Sequence, residues 1–527
     1  MLLHDKELGR IEVKTLKLPE EAKNPSGTFT YSGKVLVDYN KDGDNDVLDH
    51  IRLAVVNDDG TGFREIFSGV IPKHPTANGI RFMPFLDNKR VLLGDYVLEC
   101  SPDIDNCERA EIIPVKYPWG IDNNKNTFCH WSEIIIAPDN EHICWTTLMK
   151  GFTFNAIGSL LREKDRYVIN NAQVISSRKP FTADHERPGY LIPQASRGGE
   201  VKQFVRGGTA ISLVGGGKNS VLPDSIVQDL ASEEVLQITR LPGYEETTSF
   251  SPDEKLGIVM STRGSPKTNC AILGLLPRPY GMISVQDLTM QVYLYSVAGV
   301  RSFRRGNIGP VLIDIEKSIN KGGYRGVQLN DPDEDWVYLS PMSWHPNGRK
   351  AMWPEMLRGD YTKKRIRIAE LQDYVPGKAV PARRTPDDIS YATHDGEEQL
   401  SSRPAGASGK IAGKHSGYFE FSKKGGNDES FAGTTQSRYV QYSDDGVIFY
   451  NGHEKTFKPS ENEVVYEADL TMSGTKPGEM KCRIWFRRTG SVAPSKLLFD
   501  TDSDGIQKSF GYAEYDAVRL DVEEMSE

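Results

Sequence analysis

The sequence predicts an all-β chain built from a repeated sheet unit, and three observations carry that reading. A strand–turn–strand pattern recurs. Tyr244–Thr262 sets the turn Ser251-Pro252-Asp253 before the apolar run Ile258–Met260, Ile134–Leu148 is centred on Pro138-Asp139, and Met342–Trp353 on Pro346-Asn347. A weaker copy runs from Phe82 to Asp95, with Asp87-Asn88-Lys89-Arg90 at the turn. Proline presets φ for such a turn, and Asp or Asn bonds its own backbone beyond it. The spacing is the second observation. Pro138, Pro252 and Pro346 are 114 and 94 residues apart, and Pro138 follows the Asp87 turn by about 50. These gaps fit one or two units of about 45–57 residues, the period of a four-stranded propeller blade. Third, 49 glycines and 30 prolines suit many short strands joined by turns. The expected fold is a six- or seven-bladed β-propeller followed by a small antiparallel β-sandwich or barrel.

In chain order, a strand within residues 1–30 is placed to close the ring. A unit without the proline fits between Pro138 and Pro252, as the glycine hairpin Lys202–Val214 and two strands in Ser225–Thr239. Residues 264–330 are too long for a blade connection. They include Ala271–Tyr280 and the basic Arg301–Arg305, and either cover one mouth of the propeller or hold a seventh blade. The expected boundaries are a propeller over 1–378, a flexible Gly/Ser/Lys linker over 379–416 and a β-rich domain over 417–527. Alternating strands return at Tyr418–Phe421, Ser437–Tyr442, Gly446–Tyr450, Glu463–Ala468, Lys481–Phe486 and Ala517–Val522. Ser443-Asp444-Asp445-Gly446 is a hairpin turn. Asp500–Gly505 has Lys508 where a ninth-position calcium ligand would stand, and reads as a turn.

The heptapeptide Ser249-Phe250-Ser251-Pro252-Asp253-Glu254-Lys255, followed by Ser261-Thr262-Arg263-Gly264, resembles the repeat of TolB-type β-propellers. The resemblance covers short hairpins within roughly residues 30–375. It implies the fold, and a structural basic residue at Arg263. It says little of activity, because that superfamily includes scaffolds, partner-binding domains and enzymes.

The sharpest single motif is Asp38–Asp49. Asp38, Asn40, Asp42, Asp46 and Asp49 occupy positions 1, 3, 5, 9 and 12 of a twelve-residue calcium loop, with Gly43 at position 6 and Asp44 beside it. The flanks Lys34–Val37 and Ile51–Val56 read as strands, not helices. In that setting the loop resembles the calcium hairpin of integrin-α-type propellers, which implies a structural Ca2+ stapling a blade. A solvated acidic turn is the alternative.

Net charge is −9, which argues against nucleic acid as a main partner. No apolar run approaches the ~18 residues that span a bilayer, and the N-terminus lacks a signal-peptide core. The expected location is cytoplasmic as the sequence is written, and periplasmic or secreted if a signal was removed. The six cysteines form no Cys-x-x-Cys pair, which disfavours a structural zinc site of that type. Cys129 and Cys144 read as buried thiols, while Cys100 and Cys107 flank a loop and are candidates for a bridge.

The innermost strand of each blade lines the channel. Aligning the chain on its turn prolines brings His130, Glu133, Tyr244, Glu245 and Glu246 toward one channel mouth. His130, Glu133 and Glu246 form a candidate set for a second divalent metal, with His185 or Tyr244 as acid or base. Arg187 is the candidate for an anionic substrate group, and Glu245 for a further substrate contact. The structural alternative for each is a water-bonded channel residue. His345, beside Trp344, reads as packing. There is no Gly-x-Ser-x-Gly, Walker or His-Glu-x-x-His motif. The expectation is a lyase or hydrolase acting on a polyhydroxylated, glycosidic or acidic small substrate. The alternative is a non-catalytic propeller that binds a protein or glycan.

Overall fold

The computed structural model describes residues 1–44, 49–74, 81–149, 152–176, 181–193, 197–216, 222–264, 270–280, 286–299, 308–331, 334–397, 408–424, 434–488 and 494–525. An N-terminal hairpin, β1 (Leu2–Asp5) and β2 (Gly9–Thr15), precedes a series of four-stranded antiparallel units. The first contains β3 (Lys23–Phe29), β4 (Val35–Asn40), β5 (His50–Val56) and β6 (Arg64–Val70). The second contains β7 (Phe82–Pro84), β8 (Arg90–Leu93), β9 (Tyr96–Ser101) and β10 (Arg109–Lys116). The third contains β11 (Thr127–Ile136), β12 (His142–Met149), β13 (Phe152–Arg162) and β14 (Tyr167–Val174). A small hairpin follows, β15 (Phe181–Ala183) and β16 (Leu191–Pro193). The fourth unit contains β17 (Glu200–Val205), β18 (Ala210–Gly216), β19 (Pro223–Asp229) and β20 (Val235–Gln237). The fifth contains β21 (Glu245–Phe250), β22 (Leu256–Ser261), β23 (Gly309–Asp314) and β24 (Val327–Gln328). In the sixth, β25 (Trp336–Tyr338), β26 (Ser343–Trp344), β27 (Lys350–Leu357) and β28 (Asp360–Leu371) are joined by β2, which pairs with β28. The N-terminus thus completes the last sheet.

The inner strands of these units, β26 in the sixth, touch in a ring: β3 meets β7, β11 meets β17, β17 meets β21, β21 meets β26 and β26 meets β3. Between the second and third units the link is made by β10 and β14, which pair in parallel at Val115 and Tyr167.

The repeated turn is one device used four times. Asp87 accepts from the Lys89 N–H, Asp139 from Glu141, Asp253 from Lys255 and Asn347 from Arg349. The next residue is left-handed in every copy: Asn88, Asn140, Glu254 and Gly348 have φ of 56°, 63°, 55° and 70°. Asn and Gly tolerate that region, and Glu254 is the exception. Its carboxylate accepts from the Arg206 N–H of the neighbouring unit.

The carboxylates of these turns also hold the segment expected as a linker. Asp253 Oδ2 accepts from Gly377 N–H, and Asp139 Oδ2 from Thr385 N–H. Arg383 N–H donates to the Gly207 carbonyl, Ile389 is buried, and Thr393 pairs with Val174. Residues 377–393 are therefore a strap across the turn end of units five, four and three. Gly409–Ala412 is itself a strand. The described parts of 379–416 are docked, because their amides meet acceptors that the turns present.

The excursion between β22 and β23 is not a further blade, and it reaches the start of β21, where Tyr293 lies against Tyr244. Its described residues form α1 (Ala271–Leu275), α2 (Gln286–Tyr293) and a π turn over Leu294–Ala298. These pack against the nine-stranded antiparallel sheet of residues 409–521 and share its core with Phe419, Tyr439, Tyr466, Ile484 and Phe486. That sheet includes the long strands β29 (Ser416–Lys424), β30 (Thr434–Ser443), β31 (Ile448–Ser460), β32 (Glu463–Gly474) and β33 (Gly478–Arg488). Within the joint core Arg278 is fully buried. It donates to Glu454 at 2.9 Å, to the Leu273 and Leu276 carbonyls and to the Tyr466 hydroxyl. No described helix is long and apolar enough to cross a membrane.

Two tests follow from this packing. Glu454→Gln leaves the Arg278 guanidinium buried without its counter-charge, and is expected to destabilise the protein by about 3–5 kcal/mol. An Arg278→Met/Glu454→Leu double variant should recover most of this in urea unfolding. The strap should respond to pH. His142 lies between Asp139 at 2.7 Å and Asp387 at 3.0 Å. Burial opposes its charge, but the two carboxylates outweigh burial and raise its pKa above the ordinary 6.5. Its contribution is therefore full below 6.5 and lost as pH rises through the raised folded value. Asp139 and Asp387 are held low, so theirs is lost in acid. The protection factors of the Thr385–Ile389 amides, exchange rates corrected for their intrinsic pH dependence, should fall on the alkaline side, and His142→Asn should remove that fall.

Candidate active site at the channel end

Four of the ring-forming strands carry a register shift near their start. β3 slips between Lys23 and Ser26, β11 between Cys129 and Glu133, β17 between Val201 and Gln203, and β21 between Glu245 and Thr248. A bulge re-aims a side chain and adds twist. At three of these bulges the chain places charge: Glu133 just past the first, Lys202 and Glu246 within the others.

These charges meet. Lys202 Nζ is 3.0 Å from Glu133 Oε1, 2.8 Å from Glu200 Oε2 and 3.9 Å from Glu246 Oε1, and its side chain is 1% exposed. Arg81, immediately before β7, reaches Glu133 Oε2 at 2.5 Å. Four adjacent units thus contribute to one group. Burial opposes the lysine's charge, yet Glu133, Glu200 and Glu246 together raise its pKa. Burial likewise pushes Glu200 up, but Lys202 outweighs it and holds Glu200 below the usual carboxylate range. The Tyr244 hydroxyl donates to Glu246 Oε2 at 3.1 Å. Burial first, and then Glu246, push this phenol well above its ordinary pKa, so it remains a neutral donor.

His130 is buried three residues before Glu133 and belongs to a different group. Its Nε2 meets Asp95 Oδ1 at 2.5 Å, and Asp95 also accepts from the Trp131 indole at 2.9 Å. Burial raises Asp95, but His130, Trp131 and the His74 backbone N–H outweigh it and keep the carboxyl low. His130 Nδ1 faces Asp122 Oδ1 at 3.6 Å, and His74 Nε2 lies 3.9 Å from the same oxygen. Ligand atoms of His74, Asp122 and His130 all lie within 4.8 Å of one another, the one such group among the described residues. The expected set of His130, Glu133 and Glu246 is therefore not assembled, because Lys202 and Arg81 take Glu133 while Asp95 and Asp122 take His130.

Other expected residues stand elsewhere. Glu245 is fully buried under Arg263, at 3.0 Å, and accepts from Ser261. It is a structural clamp, in line with the role expected for Arg263, and is closed to substrate. His185 is exposed, and Arg187 pairs with Asp184 and lies over Tyr190. Both sit on the β15–β16 hairpin, which bridges to Lys410 and packs Phe181 against Phe419 and Phe421. That places them on a hairpin docked to the nine-stranded sheet, and their printed partners, Asp184 and Tyr190, are not members of the Lys202 group. His345 packs edge-on to Phe29, as expected. Cys144 is a buried thiol, Cys129 is half-buried, and Cys100 and Cys107 are free thiols.

In the Asp38–Asp49 loop, Asp44 receives Arg52 at 2.7 Å and the Lys41 N–H. Asp49 pairs with Lys73 at 3.3 Å, Asp42 is exposed, and Asn40 ends β4. Burial pushes Asp38 up to about 7, against the pull of Lys364 and Lys73. Asp46 lies outside the described residues. Protein cations thus stand beside two of the expected ligands.

Sequence reasoning missed Lys202, Glu200, Arg81, Asp95, Asp122 and His74. A lysine in a strand that also carries Val201, Phe204 and Val205 was the available signal.

No family model and no curated protein matches this chain. Among solved structures, the putative TolB from Agrobacterium tumefaciens is similar at 10% identity and TM-score 0.33, over 60% of this chain and 84% of that one. TolB from Acinetobacter baumannii is similar at 13% and 0.30, over 66% and 63%. Uncomplexed Pyrococcus horikoshii acylaminoacyl peptidase is similar at 9% and 0.34, over 77% and 60%. The ring of sheets and its four equivalent turns decide the fold on their own. This is a β-propeller. Its turn end is strapped, and the candidate site occupies the opposite end, where the inner strands begin.

Lys202→Met should destabilise the propeller by about 3–5 kcal/mol, since it strands buried carboxylates. Glu200 then loses the cation that keeps it ionised, so the deficit should shrink as pH falls. Urea unfolding of both proteins at neutral and acid pH measures it.

Proposed function

We propose that the chain is a hydrolase or lyase acting at the channel end formed by β7, β11, β17 and β21, on a polyhydroxylated or glycosidic small substrate. The observation that carries this is the Tyr244–Glu246–Lys202 arrangement. A carboxylate is held between a neutral phenol and a buried ammonium, at the register shift of β21. Such a carboxylate is suited to take a proton from a substrate carbon or a water, and the phenol or ammonium to meet the charge that develops. The charge balance narrows the substrate. Glu133, Glu200 and Glu246 outnumber Lys202 and Arg81 by one, so the site favours hydroxyl donors over an acidic group. A calcium ion on the Asp38–Asp49 loop would serve the fold of the first unit, and would displace Arg52 from Asp44 to use that oxygen.

One observation favours a binding role instead. Phe128, at the same end of β11, is 62% exposed, as an aromatic contact for a protein or glycan would be.

A panel of glycosides, esters and uronate-type elimination substrates, read by released product, separates the readings. Under the enzyme reading, Glu246→Gln lowers kcat by about 10²–10⁴-fold at unchanged thermal stability. Equal turnover by wild type and Glu246→Gln would remove Glu246 from the mechanism. Glycan binding without turnover, lost in Phe128→Ala, would establish the binding role.

A further inference from the structure

We propose that His74, His130 and Asp122 bind one divalent transition-metal ion of the zinc class, with Asp95 fixing His130 from behind. The site goes beyond the hydrolase or lyase reading and stands without it. Its parts arrive separately: His74 from the connection before β7, Asp95 from the β8–β9 turn, Asp122 from a single 3-10 turn over Ile121–Asn123, and His130 from β11. Backbone conformation presents two of them. Trp119 and Gly120, at φ 61° and 58°, turn the chain before Asp122. Gly94, at φ 66°, lets Trp131 lie where a Cβ would come within 2.5 Å, which seats Asp95 under His130.

The proton positions follow from chemistry. An ionised carboxylate only accepts, so His130 Nε2 carries the hydrogen in its 2.5 Å contact with Asp95. His130 Nδ1, the other ring nitrogen, faces the Asp122 oxygen 3.6 Å away. That oxygen is buried and accepts no hydrogen bond among the described residues. His74 Nε2 approaches it to 3.9 Å, and the two imidazoles stand edge to face at 4.9 Å. Two nitrogens and a carboxylate oxygen thus converge at separations too long for hydrogen bonds. A tetrahedral ion with ligands at about 2.0–2.2 Å sets its ligand atoms roughly 3.4 Å apart, so a small closure completes the site. Imidazole nitrogen selects zinc-class ions over calcium or magnesium. A carboxylate behind a ligating histidine is the usual outer-shell partner. Three protein ligands leave a fourth position for water or a substrate atom.

The test uses the full chain, stripped with chelator and titrated with Co2+ and Zn2+. The readouts are the cobalt absorption spectrum, bound metal by elemental analysis and thermal unfolding with and without Zn2+. Wild type should bind one equivalent with a nitrogen-rich cobalt spectrum and be stabilised by Zn2+. His74→Ala and Asp122→Asn should each abolish this equivalent, Asp95→Asn should weaken it by about 10–100-fold, and Asp42→Asn should leave it unchanged. Circular dichroism in chelator confirms that each variant is folded, and His74→Gln replaces any that is not. No cobalt binding by wild type, or an equivalent retained in both His74 and Asp122 variants, would overturn the proposal.

Discussion

The ammonium of Lys202 imposes the strongest constraint on the ring. Its side chain is almost wholly buried, so its charge survives only if carboxylates are brought to it. They come from its own strand and from both neighbours. Glu133 reaches it from β11 and Glu246 from β21, while Arg81 closes on Glu133 from the start of β7. Apolar packing sets the distance between sheets but leaves their relative slide weakly fixed. Directional ion pairs near the axis fix that slide, and the bulges at the same level supply the reach.

The two ends of the ring then differ in kind. At the turn end, each aspartate that shapes a hairpin can spend its second oxygen on the strap, as Asp139 and Asp253 do. That end is satisfied by backbone amides. At the other end the bulged strand starts and the connections between units supply side chains, and the Lys202 and His130 groups lie there. The division follows from the repeat: the turns are alike and offer the same acceptor, whereas the connections differ in length and composition and can carry distinct groups.

The sequence made the repeated scaffold legible because the Pro-Asp turn is local. Its proline, its capping side chain and its left-handed residue lie within four positions. The strands of the C-terminal sheet were readable for the same reason, by alternation, although Gly409–Ala412 hid in a stretch whose glycines and lysines read as linker. The site was readable only in part. His130, Glu133 and Glu246 were picked out as polar residues near the ring axis, and two of the three do share a group. Their partners were not legible, since Lys202 looked like one more strand residue and Asp95, Asp122 and His74 belong to connections with no repeat to align. Glu245 and Glu246 are adjacent in sequence yet opposite in role: one bulge turns Glu245 under Arg263 and Glu246 toward Lys202.

The helices over 271–298 are encoded inside the fifth sheet but are buried by a sheet that begins more than a hundred residues later. On the ribosome, β21 and β22 emerge first, and the apolar faces of Ile272, Leu273, Val292 and Tyr295 follow before the sheet that shares their core has been made. Their partner is complete only when Met525, whose carbonyl accepts from Tyr295, has left the exit tunnel. The chain therefore spends the translation of roughly its second half with a sticky hairpin of helices exposed, a natural client surface for a holding chaperone. The same arrangement makes the C-terminal sheet a check on completeness: a chain cut short after the propeller would carry this uncovered patch and be marked for removal.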